Sequence, residues 1–112
     1  MIKSNHQFRM SSNIAVRTKN YKQAIDFYSR ILGFPNRSDD PEHANLDAHP
    51  LTIFIDKDYE MSGLVLELFV DNLEEARDVL LDNGCKIIIW KGKGQDCYIQ
   101  DPFGIIFNLW EE

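Results

Sequence analysis

The chain has 112 residues, 44% of them hydrophobic and 27% charged, with 12 Lys and Arg against 18 Asp and Glu. That length holds one compact domain, or two small halves sharing a core, and the apolar content excludes a disordered chain. The net charge of −6 repels phosphate, and Lys86, Lys91 and Lys93 are too sparse to reverse it, so nucleic acid is excluded as a partner. No apolar run approaches a membrane span, and the polar opening, residues 1–10, lacks the apolar stretch of a secretory signal. Cys85 and Cys97 form no Cys-x-x-Cys pair and fall in apolar segments, which fits reduced thiols in a cytoplasmic protein.

Residues 12–18 alternate, with Ile14, Val16 and Thr18 on one face and Asn13, Ala15 and Arg17 on the other, the period of a half-buried strand. Asn20 reads as a helix N-cap. Tyr21, Ala24, Ile25, Tyr28, Ile31 and Leu32 follow as one apolar stripe, and Gly33 and Pro35 end the helix. Residues 35–43 are polar and turn-rich. Strands are expected over 43–48 and 51–56, and residues 56–63 resemble a linker. The pattern then restarts with a strand over 64–70. Asn72 caps a second helix, with Glu75 three residues on in a capping-box-like pairing. Leu73, Ala76, Val79 and Leu80 form its stripe, Asn83-Gly84 stops it, and strands follow over 86–91, 96–100 and 103–110.

The second half reads strand, helix, strand, strand, strand, and the same order is assigned to the first, where two strands are marked after the helix; the halves are residues 11–57 and 64–110 of a single 1–112 domain. A shift of 52 positions lays Asn20 on Asn72, Ala24 on Ala76 and Tyr28 on Leu80. The class is α+β: two βαβββ modules whose mixed sheet curls into a cup with the helices outside. One helix covers only one face of its sheet. The other face must be buried by a neighbour or left concave, and a concave sheet suits a small molecule.

Two stretches carry a family resemblance. Ala24, Phe27-Tyr28 and Ile31-Leu32-Gly33-Phe34 follow the pattern "aFY…iLGF", and Ile99-Gln100-Asp101-Pro102-Phe103-Gly104, followed by 105–109, follows "f.DPdGn.iel". Together they resemble the vicinal oxygen chelate superfamily of glyoxalase I, bleomycin-resistance proteins, fosfomycin-modifying thiol transferases and extradiol dioxygenases. The resemblance implies a cup of two βαβββ modules, a homodimer, and in catalytic members a divalent ion held by His, Gln or Glu. Here those ligand positions carry Asn13, Val65, Asn108, and Phe54 or, with a shifted register in the fourth strand, Asp56. Val and Phe cannot bind a metal and neutral amides are poor ligands, so no metal and no other cofactor is expected.

The remaining candidates each have a structural alternative. Trp90, Tyr98, Phe54, Phe69 and Trp110 are aromatics expected to face the cup, where they line a ligand site or pack a core or dimer interface. Gln100 shares a face with Tyr98, and Asn108 with Trp110. Arg17 and Glu67 are charges on the cup side that anchor a ligand, pair with each other or lie solvated at strand ends. His43 and His49 read as surface histidines rather than a metal pair, and His6 lies in the polar opening. The Lys91-Gly92-Lys93-Gly94 turn opens no helix and so lacks the basis for phosphate binding. The expected function is metal-independent sequestration of a partly aromatic small molecule. The alternatives are a divalent-metal lyase, thiol transferase or dioxygenase, and a non-catalytic interaction protein whose cup is filled by its own side chains.

Overall fold

The computed structural model describes residues 8–57 and 61–112. The readings of His6, of most of the polar opening and of the middle of the linker fall on residues 1–7 and 58–60, outside the described residues. Chain contacts divide the protein into two units, Ser12–Val65 and Leu66–Glu112, the latter with the stretch ending at Ser11.

In the first unit the strand β1 (Arg9–Arg17) leads into helix α1 (Tyr21–Asp26), which continues as a π-helical turn over Phe27–Ile31. The strands β2 (His43–Ala48) and β3 (Leu51–Asp56) follow. β2 and β3 pair antiparallel across a turn with a cis His49–Pro50 bond, and β3 pairs with β1 in parallel, giving the order β2-β3-β1. A parallel pair requires a crossover connection, and α1 supplies it. Ala44, Leu46, Ile53 and Ile55 form the buried core, packed by Ile14 and Val16 from β1 and by Tyr21, Ala24, Ile25 and Tyr28 from the helix.

Three local readings are corrected here. Asn20 stands at the N-cap position, but its side chain makes no capping bond; its backbone N–H donates to Thr18 Oγ1 at 3.1 Å instead. Ile31 and Leu32 leave the apolar stripe and are about half exposed. Leu32 N–H reaches back five residues to Phe27 O, and Ser29 Oγ donates to Ile25 O, so the wider π turn rotates these two residues off the packed face. Gly33, at φ +79°, then ends the helix as expected. Of the three strands that the twofold βαβββ order requires after the first helix, the first, in the stretch read as polar and turn-rich, is only one bridge between Asn36 and Leu46, held by Arg37 N–H to Asn45 O and Asp47 N–H to Pro35 O. Pro35 has no N–H to extend that ladder.

The second unit repeats the plan more fully. The strand β4 (Gly63–Val70) precedes helix α2 (Leu73–Asp82), and β5 (Lys86–Trp90), β6 (Cys97–Gln100) and β7 (Ile106–Glu111) follow. Their order is β4-β7-β6-β5, with β5–β6 and β6–β7 antiparallel. Val70, Leu73, Ala76, Cys97, Ile99 and Leu109 make a second core, against which Phe8 packs. Phe8 and the ion pair of Arg9 with Asp71 explain why β1 begins at Arg9 rather than in the expected 12–18 stretch. β7 starts later than expected because Asp101 Oδ1 accepts the N–H groups of Phe103 and Ile105, folding 101–105 into a turn. The described residues thus contain seven strands and two helical segments in an α+β arrangement with mixed pairing.

The start of α2 is held from two sides. Asn72 Oδ1 accepts Glu75 N–H at 3.0 Å, as its sequence position predicts, while Glu111 Oε1 on β7 accepts Leu73 N–H at 2.9 Å. Lys93 Nζ lies 2.6 Å from the other oxygen of Glu111. The hydrogen bond from Lys93, then that from Leu73, holds the Glu111 carboxyl below its ordinary range, and Glu111 in turn raises the Lys93 ammonium.

Asn72→Ala is therefore expected to lower unfolding stability by about 1 kcal/mol in urea titrations, and Asn20→Ala by only a few tenths, roughly. The lowered carboxyl of Glu111 stabilises the fold above the ordinary carboxylate range, and this contribution fades as pH falls through the lowered value. Stability curves of Glu111→Gln and the parent protein should accordingly differ at neutral pH and converge on acidification.

Candidate functional site

Strand alternation places Ile14, Val16, Ala44, Leu46, Ile53 and Ile55 toward α1, and so puts Asn13, Ala15 and Arg17 of β1 on the opposite face. Thr52, Phe54 and Asp56 of β3 and His43, Asn45 and Asp47 of β2 share that face. The ladders then set residues side by side: Asn13 beside Thr52, Ala15 beside Phe54, and Arg17 beside Asp56, with His43 on Asp56's other side. Phe54 and Asp56 therefore both belong to this face.

Arg17, Asp56 and His43 form a charged row across three strands. Arg17 Nη1 donates to Asp56 Oδ2 at 2.8 Å, and His43 Nδ1 hydrogen-bonds Asp56 Oδ1. The Arg17 side chain is 5% exposed, Asp56 27% and His43 36%, so the row runs from a buried cation outward to an accessible imidazole. Asp56 is thus a partner of Arg17 within this unit. Phe54 lies next in the row above, its ring 5.9 Å from that of His43 and tilted by 32°. His43 had read as a surface histidine. Counting back equally from the two-residue turn at His49-Pro50 sets it opposite Asp56, and that signal was present in the sequence.

In the second unit the corresponding face, opposite α2, carries Glu67 and Phe69 on β4, Tyr98 and Gln100 on β6, and Asn108 and Trp110 on β7. Tyr98 is fully buried and Trp110 is exposed. Asn108 Oδ1 accepts Cys97 N–H at 3.0 Å, and Gln100 Nε2 donates to Gly104 O at 3.2 Å, so both amides serve the sheet and its turn. Trp90 is not on this face. A bulge between Ile87 and Ile89 shifts the β5–β6 register and brings Trp90 opposite the core residue Cys97, where it packs under α2 with the Arg77 guanidinium 5.2 Å from its ring.

The ligand positions of the resembling family do not make a metal donor set. Val65 is buried and apolar, Phe54 has no donor atom, Asn108 is engaged by backbone, and both oxygens of Asp56 are held by Arg17 and His43. Among the described residues no three His, Cys, Asp or Glu side chains converge on a point where an ion could sit. Both cysteines are free, and burial, followed by the Asp101 charge, pushes the Cys85 thiol up, away from nucleophilic use. A depression of about 310 Å³ lies at the far end of the second unit, between Gly84 and Lys86 and the Gln100–Gly104 turn. No helix of the described residues is long and apolar enough to cross a membrane.

Residues 11–109 match the family described as the glyoxalase/bleomycin resistance protein/dioxygenase superfamily. No curated protein matches the chain. Among solved structures, a member of the same superfamily from Vibrio splendidus 12B01 is similar at 14% identity with a TM-score of 0.62, covering 95% of this chain and 100% of that one. The hypothetical protein BH1468 from Bacillus halodurans C-125 is similar at 17% identity and a TM-score of 0.62, covering 94% of each. A variant of homoprotocatechuate 2,3-dioxygenase from B. fuscum is similar at 17% identity and a TM-score of 0.60, covering 96% of this chain but 33% of that one. At such identities the likeness concerns the fold.

Removing the carboxylate of the charged row should be costly, because it takes the Asp56 counter-ion from a buried guanidinium. Asp56→Ala is expected to lose about 3 kcal/mol of unfolding stability. Asp26→Ala, which breaks only the exposed pair with Arg30, should leave the same denaturation midpoint unchanged.

Proposed function

Because the chain belongs to the glyoxalase/bleomycin resistance protein/dioxygenase superfamily, we propose that it is a small-molecule-binding member that sequesters a partly aromatic ligand without a metal ion. The observation that carries this reading is the way the first unit spends its charges. Asp56 is neutralised by Arg17 on one side and bonded to His43 on the other, and the Phe54 ring stands beside that imidazole. A face with balanced charge, one accessible polar edge and an aromatic wall suits an uncharged ring better than a chelated oxyanion. The superfamily's metal-dependent lyase, transferase and dioxygenase chemistry requires donors free to converge on an ion, and Asn13, Val65 and Asn108 are poor replacements. In this reading the protein works in the cytoplasm as a homodimer and takes no nucleic acid or membrane as partner.

A second reading has an observation of its own. Tyr98 lies on the face opposite α2 and is yet fully buried, which favours a non-catalytic interaction protein whose sheet face is filled by its own side chains.

Two measurements separate these readings. After dialysis and exposure to nickel, zinc, manganese and iron(II), the purified protein should retain far less than one ion per chain by mass spectrometry; a stoichiometric ion would return it to the enzyme branch. In a nuclear magnetic resonance screen with small aromatic compounds, shifts should cluster on His43, Asn45 and Phe54. Their absence would favour the filled face.

A further inference from the structure

The imidazole of His43 is more constrained than a surface histidine needs to be. Asp56 accepts at Nδ1, and Asp56 is itself fixed by the buried Arg17, so ring orientation is set two residues deep. Among the described residues Nε2 has no hydrogen-bond partner, while the side chain remains 36% exposed. A neutral imidazole that donates through Nδ1 has its lone pair on Nε2. The imidazole ring itself lies 5.9 Å from the Phe54 ring.

We propose that His43 is a built acceptor for a ligand hydroxyl, and that the ligand class is an uncharged aromatic ring bearing an O–H, the chemistry of a phenol. The inference rests on the binding reading above and adds the ligand's functional group to it. The ring packs against Phe54 and the hydroxyl donates to Nε2. With the ring neutral, a carboxylate or phosphate would meet a lone pair instead of a donor and is disfavoured. Asp56 and Arg17 are positioning residues: they touch no ligand and act by holding the tautomer. His49 sits in the β2–β3 turn and its backbone N–H donates to Asp47, so it serves as an internal control.

The test has two parts and uses the whole chain. Nitrogen-15 spectra recorded at about pH 8.5, above the ordinary imidazole titration, should show His43 with its proton on Nδ1 and a bare Nε2. In the double variant Arg17→Met, Asp56→Leu, which removes both charges together and leaves neither ion buried alone, the tautomer should revert to that of His49. Phenol and toluene are then titrated as probes differing by the hydroxyl alone. Phenol should bind the parent protein about five- to tenfold more tightly, the worth of one hydrogen bond, and this preference should vanish in His43→Phe. A parent protein with its proton on Nε2 overturns the proposal outright. Equal affinity for the two probes overturns it while leaving the binding reading standing, and failure of both probes to bind overturns both.

Discussion

A buried guanidinium must keep a carboxylate beside it, and in this protein that requirement ties three strands together. Arg17 is on β1, Asp56 on β3 and His43 on β2, and they meet only in the observed register. Slipping β3 by one residue against β1 would strand Arg17 opposite an isoleucine. It would also turn Ile53 and Ile55 out of the core beneath α1. The ionic row and the apolar core therefore select the same pairing, one from each face of the sheet. Agreement of this kind between independent terms is what gives a sequence one structure.

The second unit solves its local problems with the same residue types in other places. Its helix begins with exposed N–H groups, and Asn72 and Glu111 accept two of them, Glu111 being held in turn by Lys93. Asn108 closes on the backbone of β6 rather than pointing a free amide outward. The two units are alike in plan but not in use: polar groups in the second maintain the sheet, whereas the row in the first ends at an accessible nitrogen. Superfamily membership cannot supply that distinction, because the three solved structures named above share 14–17% identity and with it the fold. The chemistry has to be read from this chain's own side chains.

Much of the fold was legible because strands and helices announce themselves by period. The alternation of 64–70, the capped stripe after Asn72 and the LTIFID strand all lie where their patterns put them. Two of the failures fall where an extra residue breaks the period. The π turn after Asp26 moves Ile31 and Leu32 off the stripe, and the bulge at Ile88 carries Trp90 to the helix side. Neither leaves a mark in composition, because both arise from how a neighbouring element fits.

By itself, then, the sequence determined the α+β class and, outside the stretch after the first helix, the order of the elements. These are properties of residue type and spacing, which the chain carries before it folds. Only tertiary structure decided that Arg17 pairs with Asp56, and that the same carboxylate orients His43. Residues 39 positions apart, as Arg17 and Asp56 are, become neighbours only through a parallel ladder whose register is fixed by packing on both faces. The identity of a charge is local, whereas the identity of its partner is a property of the whole unit.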